Sequence, residues 1–196
     1  VGTIFAFVGA VQLEKFGATV YVADLVGIAV VREMGAMMTA IVMAGRTGAA
    51  FAAQLGTMKV TQEVDALTTM GFSALDFLVL PRILALCLMM PLLCLYADAL
   101  GVLGGSLIGI GMLKLPPITY FQQTFHAVAI SDLAGGVLKA SVYGVLVALS
   151  GCLRGLQSGS SSSAVGDAAT SAVVTGIVLI ICACGIFAVS FYILGI

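Results

Sequence analysis

This chain has little charge. Only 9% of its 196 residues are Lys, Arg, Asp or Glu, against about 25% in an ordinary globular domain. Its net charge is −1 and it has no Lys/Arg-rich run. That argues against nucleic acid as a partner. It has no Gly-x-x-x-x-Gly-Lys-Ser/Thr sequence, so it has no ATPase phosphate loop of its own. Its one histidine, His126, stands apart from Cys87, Cys94, Cys152, Cys182 and Cys184, and no Cys-x-x-Cys pair occurs. The cysteines therefore read as small apolar packing residues, and no metal site is expected. No Gly-x-Ser-Gly motif is present either. An intramembrane enzyme would need a positioned nucleophile and base, so no catalytic residue is assigned.

What remains is apolar: 61% of residues are hydrophobic and the mean hydropathy is +1.21. The expected fold is an all-α integral membrane protein with about five transmembrane helices, the first truncated. Val1–Leu13 is shorter than the roughly 20 residues a span needs, and no basic segment precedes it as in a signal peptide. It reads as the tail of a first span whose earlier part lies outside this chain, or as a re-entrant half-helix. Further apolar runs cover residues 25–58, 83–113, 132–154 and 168–196. Pro91 predicts a kink in the second of these, and its glycines at 101, 104, 105, 109 and 111 predict tilting or a break. Pro116-Pro117 marks a loop leading to a short interfacial helix around Phe121–Val128. Gly155–Gly166, with four serines in a row, reads as a flexible polar loop. No internal repeat is visible, which disfavours an inverted-repeat secondary transporter.

Ala44, Gly48, Ala52 and Gly56 recur at a spacing of four. Such a small-residue stripe suits close helix contact, within one subunit or between two. Residues 59–70 differ in kind. Val60, Val64 and Leu67 share one helical face, and Gln62, Asp65 and Thr69 share the other. This predicts a short amphipathic helix, stopped at Gly71. Ser73 to Asp76 then forms a capping box that opens the next span.

The few charges are informative because a bilayer makes each of them costly. Arg46, Lys59, Arg82 and Arg154 fall at one side if the spans alternate, and the positive-inside rule makes that side cytoplasmic. Counting inward, Arg32 lies 14 residues from Arg46, Asp98 lies 16 from Arg82, and Lys139 lies 15 from Arg154. Each interval is about 21–24 Å of helix. Arg32, Glu33, Asp98, Asp132 and Lys139 are thereby expected to form a paired network in the outer half of the membrane. That network either braces the helices or meets a charged head group.

Several motifs now stand in one order. They are Arg-Glu-Met-Gly (32–35), Ala-Gly-Arg-Thr-Gly (44–48), Leu-Gly-Thr-Met-Lys-Val (55–60), Glu-Val-Asp-Ala-Leu (63–67), Met-Gly (70–71) and Leu-Val-Leu-Pro-Arg (78–82). Gly104-Gly105-Ser106, Asp132 with Lys139, and the Ser-x-x-x-Val-Gly-Asp-Ala segment (161–168) continue the series. The chain closely resembles the MlaE/YrbE permease family, membrane subunits of ABC transporters that work with MCE proteins on lipids. The resemblance implies one permease domain over residues 1–196 and a homodimer in a bacterial inner membrane. It implies a cytoplasmic ABC ATPase that binds ATP and magnesium, with no cofactor held by this chain. It implies an MCE-domain protein, in some members a STAS-domain protein, and phospholipid as cargo. Lys59, Gln62, Glu63, Asp65 and Thr69 match the coupling helix that meets the ATPase. Val11, Leu13, Phe16 and Tyr21 match the wall of the lipid cavity. The chain departs from the family at Val8-Gly9, where a glutamine is expected before the glycine. A pore, or an intramembrane enzyme using His126 or Ser106, is the competing class.

Overall fold

The structure is a computed structural model, and it describes residues 1–15, 17–19 and 21–194. Seven helical segments occur among the described residues, and no strand. They are α1 (Gly2–Glu14), α2 (Tyr21–Val60), α3 (Glu63–Thr69), α4 (Leu75–Gly111), α5 (Pro117–Ala127), α6 (Ile130–Leu156) and α7 (Ser162–Leu194). Helices α2, α4, α6 and α7 are each long and apolar enough to cross a membrane, and α1 is a shorter apolar helix. At 1.5 Å per residue the 40 residues of α2 reach about 60 Å, so its ends pass well beyond a ~30 Å hydrocarbon core.

The helix ends follow local chemistry. Gly17 (φ 69°) closes α1: its N–H bonds the Glu14 carbonyl while Ala18 N–H bonds that of Leu13. This is the Schellman pattern, which satisfies carbonyls the helix leaves open. Gly71 (φ 85°) closes α3 in the same way, with Phe72 N–H bonded to Leu67 O, as its position in the sequence predicts. Ser73 Oγ then accepts from Asp76 N–H at 3.2 Å, the serine half of the predicted capping box, and donates to the Asp76 carboxylate.

Three expectations are corrected. The glycines at 101–111 do not break α4, which stays helical to Gly111; the irregular turns are π-helical and lie at Val30–Met34, Ala44–Gly48 and Leu75–Val79. The serine run is not all loop. Ser161 Oγ accepts from Ala164 N–H at 3.3 Å, and this cap draws Ser162 onward into α7. Residues 59–70 are not one helix either. Gln62 takes the left-handed conformation (φ 61°), so Lys59 and Val60 belong to α2 and only Glu63–Thr69 forms α3.

The described residues resolve into two compact units, one formed by Val1–Ala36 with Leu92–Leu138, the other by Met37–Pro91 with residues 139–194. In the first, Ala6, Ala10, Val22, Val26 and Val30 make a buried cluster. In the second, Leu55, Leu78, Val79 and Cys152 do so, with Val64 and Leu67 of α3 packed on them. The predicted apolar face of α3 is therefore the face it buries.

The small-residue stripe at 44–56 is buried inside this second unit. A Cβ on Gly56 would meet Val165 at 3.3 Å, one on Gly151 would meet Gly48 O at 2.6 Å, and one on Gly155 would meet Ala52 O at 2.9 Å. Between the two alternatives the sequence left, the stripe packs within the subunit.

Candidate functional site

In the first unit the ionisable residues gather on the π-turn of α2. A π-turn widens the helix by one residue and spares a carbonyl. Gly35 N–H bonds Val30 O across this one. Around it α2, α4 and α6 come very close. A Cβ on Gly35 would fall 1.6 Å from Asp98 Oδ1 of α4, and one on Gly136 of α6 would fall 2.4 Å from Val31 O. Glycine is required at both positions because the space is already filled.

Arg32 Nη1 donates to Asp132 Oδ1 at 3.4 Å, with side chains 33% and 13% exposed. Asp132 Oδ2 also accepts from Ala129 N–H at 3.2 Å. The carboxylate thus stands in the first turn of α6, where the helix dipole favours negative charge, and holds an arginine of α2 at the same time. Asp98 is buried; Cys94 Sγ donates to its Oδ2 at 3.6 Å, while Oδ1 rests on Gly35 with no hydrogen-bond partner. Glu33 is half-buried on the same turn. Of the expected network, Arg32 and Asp132 are joined and Asp98 lies on Gly35, one turn beyond Arg32. Lys139 belongs to the second compact unit, where it is fully buried with its Nζ 4.7 Å from the centre of the Phe191 ring.

Beside this junction lies an apolar cavity of about 550 Å³. Val31, Leu95, Val102, Phe121, Phe125 and Leu133 supply much of its wall, and Asp98 is its one ionisable residue. Helix α5 forms one side. Its Phe121, Thr124 and Phe125 line the cavity, while Tyr120 is buried against α4. Tyr120 fits only because Gly105 and Gly109 lack side chains: a Cβ there would stand 2.7 Å from its hydroxyl and 2.7 Å from its ring. Burial pushes the Tyr120 phenol above its ordinary pKa. Gln123 Nε2 donates to Asp24 Oδ2 at 3.0 Å and ties α5 to α2.

Of the four residues expected to form the lipid wall, Val11, Leu13 and Tyr21 do not line this cavity. Leu13 packs on the Ala6–Val30 cluster, and Val11 and Tyr21 are 38% and 60% exposed. Phe16 lies outside the described residues. The cavity wall was missed because it draws on α2, α4, α5 and α6 together. The one signal available in sequence was the i, i+3, i+4 set Phe121, Thr124 and Phe125 on one helical face.

The residues expected to meet the ATPase divide. Gln62, Glu63, Asp65 and Thr69 are exposed. Lys59 instead donates to Leu156 O at 2.9 Å and Ser158 O at 2.7 Å, so its charge caps the C-terminus of α6. His126 is exposed, and Ser106 Oγ is buried and donates to Leu103 O at 2.7 Å.

Comparison with known proteins gives these features their setting. The family described as Permease MlaE matches residues 1–190. A probable ABC transporter permease protein of Rickettsia typhi is 37% identical over 92% of this chain and 70% of its own length. One from Synechocystis is 34% identical, over 92% and 68%. The chloroplastic protein trigalactosyldiacylglycerol 1 of Arabidopsis thaliana is 30% identical over 91% of this chain and 51% of its own. With a match across nearly the whole chain, and four helices able to span a bilayer, this multi-pass membrane protein belongs to the MlaE permease family of ABC transporter subunits.

Proposed function

We propose that this chain is the membrane subunit of a lipid transporter, passing phospholipid between a bacterial inner membrane and an MCE-domain protein. The observation that carries the lipid reading is the cavity beside the Arg32–Asp132 pair. Its volume of about 550 Å³ lies within the ~300–1,000 Å³ of ligand pockets, and its wall is apolar with one buried carboxyl. An amphiphile needs that combination. A chloroplast relative whose name is that of a lipid supports the same reading.

In this reading two copies pair, and the exposed apolar residues of α1 and the start of α2, Val11 and Tyr21 among them, contribute to a cavity shared by the dimer. A cytoplasmic ABC ATPase, holding ATP and magnesium, grips α3. The buried face of α3 fixes it to the Leu55–Cys152 cluster, while Gln62, Glu63, Asp65 and Thr69 face outward. A push on the exposed face is thereby passed to α2, α4 and α6. A STAS-domain protein bound to the ATPase completes the assembly in some forms. Arg32, Glu33 and Asp132 are proposed to meet the head group or to hold the helices that do, and Lys139 to brace the helices of its own unit.

Two measurements test this. The double substitution Glu63→Lys/Asp65→Lys is expected to cut co-purification of the ATPase about tenfold while leaving the permease folded, since exposed substitutions usually cost under ~0.5 kcal/mol; undiminished co-purification would sink the α3 assignment. Filling the cavity with Val102→Trp should lower the phospholipid that co-purifies with the chain. Unchanged lipid content and unchanged transport in that variant would remove the cavity from the pathway.

A further inference from the structure

Arg82 sits near the start of α4, in the second compact unit, against an aromatic ring and beside the Cys152 thiol but without a counter-ion. Its Cζ lies 5.1 Å from the centre of the Phe51 ring, and its Nη1 is buried without a hydrogen-bond partner. No carboxylate pairs with it among the described residues. By contrast, Arg32 has Asp132, Lys59 has two carbonyls, and Arg154 Nε donates to Thr175 Oγ1 at 3.1 Å. Yet Arg82 is half-buried at the end of a membrane span, where an uncompensated charge is costly.

The accessible side of this arginine faces an open cavity of about 390 Å³, whose other lining residues are Ala53, Gln54, Thr57 and Met58. Gln54 is exposed and offers an amide donor. Thr57 is exposed too, but its hydroxyl donates to Ala53 O at 2.9 Å, so toward the cavity it offers only lone pairs. No acidic residue lines the space. An anion is therefore the ligand that the charge calls for. Guanidinium binds phosphate through paired N–H donors more strongly than it binds neutral acceptors. The rest of the wall is apolar. Ala85 and Met89, three and seven residues beyond Arg82 on the same helical face, are exposed as well. A phosphate that carries an acyl chain would satisfy both features, with its head at Arg82 and its chain along α4.

We propose that Arg82, with Gln54 beside it, holds the phosphate of an anionic phospholipid in the leaflet at the basic end of the spans. This site shares no residue with the cavity beside Asp98, and it does not depend on the transport reading.

The test is native mass spectrometry of the delipidated full chain titrated with phosphatidylglycerol, with inorganic phosphate as a second probe. Arg82→Gln should weaken lipid binding by about tenfold or more, the scale of one charge-assisted contact. Gln54→Glu, at an exposed position, sets a carboxylate against the phosphate and should weaken binding several-fold with Arg82 untouched. The result therefore does not hinge on how the arginine variant folds. Binding that neither substitution alters would overturn the proposal. Arg82-dependent binding of inorganic phosphate that displaces the lipid would overturn the lipid as its source.

Discussion

In the unit built on Met37–Pro91 and residues 139–194, helices approach through missing side chains. Gly151 lies against Gly48 O, Gly155 against Ala52, and Gly144 against Leu86 O, and a Cβ on any of them would come within 3 Å of backbone. In the unit built on Val1–Ala36 and Leu92–Leu138, Gly136 also meets backbone at Val31 O, but other glycines make room for a polar side chain. Gly35 admits the Asp98 carboxyl, Gly105 and Gly109 admit Tyr120, and Arg32 bonds Asp132 across helices. The difference follows from what can drive helix association in lipid. The hydrophobic effect contributes little there, so contact comes from close packing or from polar pairs. The second unit uses chiefly the former. The first spends polar groups on association and has an apolar cavity lined by one of them.

The comparison breaks most easily at Gly151. A leucine there would press on Gly48 backbone, which cannot swing aside, so the cost should exceed the ~1–3 kcal/mol usual for overpacking. The expected result is loss of the folded peak in detergent size-exclusion chromatography; a normal peak would show that the helices can separate. Gly35→Ala should cost about 2 kcal/mol, but through a side chain. Adding Asp98→Ala should therefore recover more than half of the loss in thermal stability, with a coupling of about 1–2 kcal/mol in the double-mutant cycle. Additive losses would mean that Gly35 is needed for backbone contact, as Gly151 is, and the two units would no longer differ.

The smaller effects lie outside both kinds of contact. Ser73→Ala removes the cap of α4 and should cost about 1 kcal/mol, read as a lowered melting temperature with ATPase binding retained. His126→Ala should change stability by less than ~0.5 kcal/mol and leave lipid transport intact. Loss of transport in that variant would reopen the enzyme reading.

Much of the fold was legible because bilayer physics acts on each segment separately. Four long apolar runs had to be helices, since a backbone in lipid must satisfy its own hydrogen bonds. Gly71 and the Ser73–Asp76 box marked helix ends through local geometry, as did the apolar face of α3. The break at Gln62 was not legible, because a left-handed glutamine is unusual and composition gives no sign of it. Lys59 read as part of an exposed helix for the same reason. Its true partners, Leu156 O and Ser158 O, lie nearly a hundred residues away.

The buried charges show where each source of information ends. From sequence alone, helical rise placed Arg32, Asp98 and Lys139 at comparable distances from basic span ends, with Asp132 two turns further out on the face of Lys139, because α-helices have a fixed pitch. Sequence also fixed the membrane class, the number of long spans and the family motifs. It could not say which charge meets which, because rotation about a helix axis and the approach of neighbouring helices depend on packing between distant residues. Only the tertiary structure joined Arg32 to Asp132, laid Asp98 on Gly35, opened an apolar cavity beside it, and left Arg82 against Phe51 without a carboxylate.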